Sequence, residues 1–358
     1  MRQKLPDFPW DALAPYGAIA KKHPQGAIDL SVGTPVDPTP EFIQKAFQAA
    51  ANSPSYPVTV GTPELREAIT TWAKKYLGAT GDFGVLPLIG SKEFVAWLPT
   101  FIEAQSVLYP DVAYPTYLVG SLLAEADATP VSLDASQWPQ ANMAWVNSPS
   151  NPTGRVHSES EFKAAIDWSR RNKSVVVSDE CYLEFGDSVK PTSILNYTGG
   201  DNTNILAVHS LSKRSSMAGY RAAFIVGDPA LIARILEVRK HAGMMVPLPV
   251  QVAMIAALSD EDHVEQQRAR YNSRRATLAP ALQAAGFTIE NSEAGLYIWA
   301  TRHEDCWDSV SWLAELGIIA TPGVFYGDLG ATHIRIAMTA TDAQITEAAV
   351  RITSKVGA

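Results

Sequence analysis

The chain has 358 residues, 46% of them hydrophobic and 18% charged, with a formal net charge of −8. That much apolar material supports a sizeable core, either two domains or one large α/β domain with an appendage, and excludes a disordered chain. The acidic balance excludes the basic face that a nucleic-acid binder presents to phosphates, and no run approaches the roughly 18 apolar residues of a membrane span.

Two cysteines, Cys181 and Cys306, form neither a metal-ligand pair nor a disulfide framework and read as small packed residues. Met1-Arg2-Gln3-Lys4-Leu5-Pro6 has no apolar core of a secretory leader, so a cytoplasmic location is expected. The arm that follows, with Pro6, Pro9 and Pro15, is too short to fold alone and is expected to pack on a neighbour. Seven β-rich runs then alternate with helical patterns: Val85–Ile89, Ser106–Tyr109, Thr129–Leu133, Met143–Asn147, Ser174–Ser178, Asn204–His209 and Ala222–Val226. Among the helices, Glu159–Arg171 opens on Ser158 with Glu161 as its capping-box partner. Alternation of this kind predicts a seven-stranded, mostly parallel sheet covered on both faces.

Beyond residue 230 the pattern changes. Helical Pro229–Ala242 is broken by Pro247 and Pro249 and resumes at Val250–Leu258. A charged helix, Glu261–Ala285, stops at Gly286. Strand-like Phe287–Asn291 and Leu296–Thr301, a helix at Trp307–Leu316, a strand at His333–Ala337 and a closing helix at Asp342–Lys355 complete a smaller α+β unit. The expected division is an N-terminal arm (1–35), a large domain (36–240) and a small domain (241–358). No internal repeat or low-complexity linker interrupts it.

The most telling run is Ser210-Leu211-Ser212-Lys213-Arg214-Ser215-Ser216-Met217-Ala218-Gly219-Tyr220-Arg221. It follows a buried strand, so Lys213 lies at a carboxyl end, where open α/β sheets bind ligands. A lysine there can form a Schiff base with an aldehyde, while Ser210, Ser212 and Arg221 can hold a phosphate. One small molecule with both groups is pyridoxal phosphate. Taken alone, a loop lysine is a solvated charge. Ser-x-x-Lys also matches a serine-nucleophile pattern, but its companion strings Ser-Asp-Asn and Lys-Thr-Gly are absent.

Other positions point the same way. Val175-Val176-Val177-Ser178-Asp179 is a buried strand ending in an acid able to keep a pyridine nitrogen protonated, which makes the ring an electron sink. Tyr182, three residues on, and the asparagine of Asn151-Pro152-Thr153-Gly154 can both donate to the ring's phenolic oxygen. Leu86-Pro87-Leu88-Ile89-Gly90-Ser91-Lys92 reads as strand, glycine turn and helix start, a ready anion site at Ser91 and Lys92. Each has a bland reading, as turn former, cap or surface charge; order and spacing together outweigh it. There is no Walker A or Gly-x-Gly-x-x-Gly string to support a nucleotide.

With these residues in place the chain resembles the class I/II aminotransferases of pyridoxal-phosphate fold type I, from Ser31-Val32-Gly33-Thr34-Pro35 to Ile334-Arg335-Ile336-Ala337. The resemblance implies Lys213 as the cofactor-bearing catalytic lysine. Asp179, Tyr182, Asn151 and Arg221 become cofactor ligands. Tyr114 of Ala113-Tyr114-Pro115 is implied to stack on the ring, and Tyr56 to reach the phosphate from the second subunit of a homodimer. It further implies that Arg335 clamps the substrate α-carboxylate, with the Gly33 N–H and Asn151 alongside. Amino-acid and 2-oxoacid substrates follow. The run around Lys213 and the compact length are most similar to actinobacterial N-succinyldiaminopimelate aminotransferases, which implies N-succinyl-LL-2,6-diaminopimelate with glutamate as donor. Lys92, Arg239, Lys240 and His241 are candidates for a distal anion, each also readable as surface charge. A C–S β-lyase would use the same cofactor residues. A non-catalytic regulator would carry a helix-turn-helix for which this arm is too short.

Overall fold

The computed structural model describes residues 5–356; Met1–Lys4, the start of both the arm and the leader reading, lie outside them. In chain order the strands are β1 (Ile28–Asp29), β2 (Gly84–Ile89), β3 (Ser106–Pro110), β4 (Asp127–Val131), β5 (Met143–Asn147), β6 (Val175–Asp179) and β7 (Ile205–Ser210). Then come β8 (Ala222–Gly227), β9 (Thr288–Ile289), β10 (Tyr297–Thr301), β11 (Ile318–Ile319), β12 (Thr321–Pro322) and β13 (His333–Ala337). β2 to β8 form one seven-stranded sheet in the order β2-β8-β7-β6-β5-β3-β4. β8 runs antiparallel to both its neighbours, and the other pairings are parallel.

The apolar runs explain this sheet. Val175, Val176 and Val177 are all buried because both faces are covered: Val176 joins Trp72, Phe162 and Trp168 on one side, while Val175 and Val177 join Phe94, Tyr117 and Trp145 on the other. Continuous apolar sequence, not alternation, is what a strand between two helical layers requires. The helix Glu159–Asn172 opens with the capping box of Ser158 and Glu161, as its sequence predicts.

Most ends fall within one residue of expectation, and three elements depart from it by two. β4 lies at Asp127–Val131, two residues early, because it is the sheet's edge strand; Pro130 is tolerated there and the outward residues are polar. The helix expected from Val250 starts at Leu248, since Pro249 falls in the first turn, where its missing N–H costs nothing. β9 shrinks to two residues as Asn291 and Ser292 take positive φ.

A second, four-stranded sheet, β12-β13-β10-β9, and the β1–β11 pair sit in a separate core. Leu13, Ile28 and Leu30 of the arm belong to that core. Residues 246–258 instead share the large sheet's core, on the other side of the division expected at 240.

Candidate active site

The carboxyl ends of β2, β7, β6, β5 and β3 lie on one edge of the large sheet, with the start of β8 between β2 and β7. Each candidate cofactor residue of the large sheet follows one of these ends, so the topology gathers positions far apart in sequence.

β7 ends at Ser210, whose hydroxyl accepts the Ser212 amide at 3.1 Å and starts the single turn Leu211–Arg214 that carries Lys213. The turn is anchored behind by Arg214, which donates to Glu184 at 2.6 Å, to the Ala257 carbonyl at 2.8 Å and to Glu261. On the open side, Lys213 Nζ donates to the Gly33 carbonyl. Burial pulls the Lys213 pKa down to about 8; Cys181 opposes the shift, and the Arg335 and Arg221 cations assist it. An amine poised there is a usable nucleophile near neutral pH.

Asp179, buried at the end of β6, accepts the Tyr117 hydroxyl at Oδ2 (2.9 Å) and the Cys181 amide at Oδ1 (3.2 Å). Burial raises its pKa, and these donors restrain the rise. Among the described residues no lysine or arginine pairs with it. A buried carboxylate in that state is costly without a cation, and a protonated ring nitrogen is the partner it fits.

After β5, Asn147 shapes the next loop: its Oδ1 accepts the Asn151 amide at 2.7 Å and its Nδ2 donates to the Asp179 carbonyl at 2.9 Å. Asn151 is thereby set against Arg335, whose Nη1 donates to Asn151 Oδ1 at 2.8 Å. The hydroxyls of Tyr182 and Tyr297 are 3.1 Å apart. Tyr114 is recessed beyond β3, with burial pushing its pKa to about 12.

A phosphate fits the opposite corner. Gly90, at φ 79°, precedes the helix Ser91–Phe101, whose first turn no side chain caps. A Cβ on Gly90 would lie 2.1 Å from Arg221 Nη2, so the guanidinium rests against this turn. A cation and the positive end of a helix converge there, and an anion relieves their repulsion. Ser91 neighbours the Cys181 thiol, which places this corner beside Asp179.

Arg335, on β13 opposite Trp299 of β10, is 2% exposed. Its Nη2 donates to the Ser31 carbonyl at 2.5 Å, and its Cζ is 4.1 Å from the Tyr297 ring centroid and 5.0 Å from that of Tyr326. Nε is buried with no partner, and no carboxylate pairs with the guanidinium among the described residues. A carboxylate guest would satisfy both needs.

Contacts therefore bring Lys213, Gly33, Asn151, Arg335 and Tyr182 together directly or through Tyr297. Gly33 engages through its carbonyl, whereas the sequence reading invoked its N–H; a Cβ there would fall 2.1 Å from the Tyr297 hydroxyl. Two candidates stand apart. Tyr56 is 91% exposed, and Lys92 points outward, its Nζ 5.7 Å from the Phe8 ring centroid. Arg239 is a correction: it is no surface charge but fully buried on Glu93, at 3.0 and 3.1 Å. Lys240 and His241 are exposed, and both reach Glu237.

Sequence reasoning missed Tyr117, Tyr297 and Tyr326. Tyr117 follows Tyr114 by three residues across a helix start, where its amide donates to the Tyr114 carbonyl and the two rings meet. Tyr297 and Trp299 alternate along β10 on the face that Arg335 shares, a period-two signal.

Comparison with known proteins agrees with this geometry. The chain is 50% identical to the 4-dedimethylamino-4-oxo-anhydrotetracycline transaminase OxyQ of Streptomyces rimosus, over 98% of this chain and 100% of that one. It is 35% identical to an LL-diaminopimelate aminotransferase of Dehalococcoides mccartyi, over 91% of each. An aminotransferase structure from Staphylococcus aureus superposes with a TM-score of 0.89 at 27% identity, covering 99% of this chain and 98% of that one. Residues 25–352 match the model of aminotransferase class I and II, and the chain belongs to that family of pyridoxal-phosphate-dependent enzymes.

Proposed function

We propose that this aminotransferase moves an amino group between L-glutamate/2-oxoglutarate and N-succinyl-LL-2,6-diaminopimelate. The observation that carries an amino-acid substrate is Arg335, a buried cation with an unpaired Nε and no carboxylate partner among the described residues, within reach of the loop that carries Asn151. The relatives named for LL-diaminopimelate support the diaminopimelate backbone; the succinyl group rests on the sequence resemblance around Lys213.

In this reading bound pyridoxal phosphate supplies the electron sink for charge left on the substrate α-carbon. Lys213 holds the cofactor and, once released, takes the α-proton and returns it at the cofactor's C4′. Asp179 faces the ring nitrogen, Tyr182 and Asn151 the phenolic oxygen, and Tyr114 the ring face. Ser91, Ser210, Ser212 and Arg221 surround the phosphate with the backbone N–H of Lys92 at the helix start, its side chain pointing away, and Tyr56 arrives from the second subunit of a homodimer. Gly33 and Asn151 complete the clamp around Arg335. The large domain (36–240) carries the cofactor, and the small domain (241–358) with the arm carries the clamp. The cytoplasmic location expected from the sequence belongs to the same reading.

A second reading has a specific support: 50% identity over the full length of a transaminase named for a tetracycline-type oxo substrate. Half-reactions followed by absorbance separate the two. Glutamate and N-succinyl-LL-2,6-diaminopimelate, added separately, should each discharge the visible absorbance of the lysine-bound cofactor, and 2-oxoglutarate should restore it. Discharge by glutamate alone rejects the succinyl substrate, and consumption of the tetracycline-type ketone then carries the second reading. Pyruvate release from cystathionine would move the assignment to a C–S lyase.

A further inference from the structure

We infer that Tyr117 is a positioning residue for the reaction: its hydroxyl orients Asp179 and keeps the proton shared with the cofactor's ring nitrogen on the ring. The inference rests on the reading of Asp179 as the ring-nitrogen partner.

Tyr117 is immobilised from every side. Its ring stacks on Trp145 (centroids 4.9 Å apart, 21° between planes) and meets Tyr114 edge-on (5.8 Å, 85°), and no part of it is exposed. Its amide donates to the Tyr114 carbonyl at 3.1 Å, locking the first helical turn. The hydroxyl is thereby aimed at Asp179 Oδ2, 2.9 Å away.

The direction of that bond is fixed by chemistry. An ionised carboxylate is acceptor only, and burial, with the Asp179 charge beside it, pushes the Tyr117 pKa well above the usual phenol range. Tyr117 is therefore the donor. Oδ1 takes the Cys181 amide and Oδ2 takes Tyr117; with the Cys181 thiol as a further donor, the carboxylate still has acceptor room for the ring N–H. Other titratable groups acting on Asp179 are the Cys181 thiol, Tyr114 and His209 on the neighbouring strand β7.

A donor on a carboxylate lowers its affinity for a proton. With Tyr117 in place, the proton between Asp179 and the ring stays on nitrogen. Without the hydroxyl, Asp179 becomes the stronger base and that proton moves onto its oxygen. No net proton is gained or lost, but the ring is left neutral and accepts charge poorly. Tyr117 thus links two walls of the site, since the ring it packs against edge-on is Tyr114, the stacking candidate.

The test is Tyr117→Phe in the holoenzyme, loaded with cofactor labelled with ¹⁵N at the ring. The wild-type ring nitrogen should resonate as a pyridinium, and that of Y117F should move toward neutral pyridine. Y117F should also lose about 10- to 100-fold in kcat, the scale of a hydrogen bond to a charged group, with KM changed less than about twofold because Arg335 is untouched. Site-specific 3-fluorotyrosine at position 117, a stronger donor of nearly the same shape, should hold the pyridinium signal to higher pH, and it keeps the question open to test if Y117F folds poorly. A pyridinium signal and kcat unchanged in Y117F would overturn the inference. A neutral ring nitrogen in the wild type would instead overturn the reading of Asp179 itself.

Discussion

At the scale of single residues the site depends on buried charges with no ion-pair partner among the described residues, and their titration is measurable. Lys213 has its pKa lowered from 10.5 to about 8, chiefly by burial. The sign follows directly: below that value the amine is ammonium and inert, above it the lone pair is free. Cofactor-free protein should therefore capture pyridoxal phosphate at a rate that rises with pH around a midpoint near 8, followed by stopped-flow absorbance. Arg335→Ala removes a cation that helps depress this pKa and should move the midpoint upward. The same variant leaves the ketoacid and amino-acid carboxylates without a guanidinium. It should lower kcat/KM by about 100-fold or more, the scale of a truncated buried charge pair, while the visible spectrum of the bound cofactor persists. Arg335→Lys should recover only part of the activity, because an ammonium cannot form the two-pronged contact. Most of this was legible beforehand, since Lys213, Asp179, Asn151 and Arg335 stand in motifs. Tyr297 was not, because a tyrosine in an apolar strand looks like core until the chain brings Tyr182 and Gly33 to its hydroxyl.

Among the elements, legibility tracks how many independent signals a segment carries. The helix from Glu159 has a cap, a box and an amphipathic face, and its start matches to the residue. β4 has an exposed face and an internal proline, and its position slipped. The glycine turn after β2 was read as an anion site from a short string, and the structure adds the reason for the glycine. φ of 79° disfavours any Cβ, and Arg221 occupies the space a Cβ would take. Gly90→Ala should therefore strain this one turn and still leave the fold intact, because the atom its Cβ displaces is the far end of a flexible side chain. It should push the guanidinium off the helix start and weaken cofactor binding by about tenfold, the scale of one charge-assisted hydrogen bond. Fluorescence titration of cofactor-free protein reads this directly; unchanged affinity would remove Gly90 and Arg221 from the phosphate corner.

For the whole molecule, one exposed aromatic stands out against the rest of the site. Tyr56 is 91% exposed, although a large apolar side chain is ordinarily half covered or more, and no contact among the described residues brings it toward Lys213. If it completes the site of a partner, each site of a homodimer is built from two chains, and complementation tests that geometry. Lys213→Ala chains cannot hold the cofactor in their own sites but still lend a sound Tyr56. Tyr56→Phe chains keep Lys213 but lend a defective ring to the partner. Alone, both homodimers should be impaired. After denaturation and refolding of an equal mixture, about half the dimers are hybrids by chance pairing of a two-fold oligomer. In each hybrid one site combines both lesions and the other combines neither, so about a quarter of all sites become fully wild type. Activity should rise to roughly that fraction, with the wild-type KM. A mixture no more active than the mean of its two parents would mean that Tyr56 serves its own subunit or none. The exposed ring would then need another explanation, while the one-chain contacts around Lys213, Asp179 and Arg335 would stand unchanged.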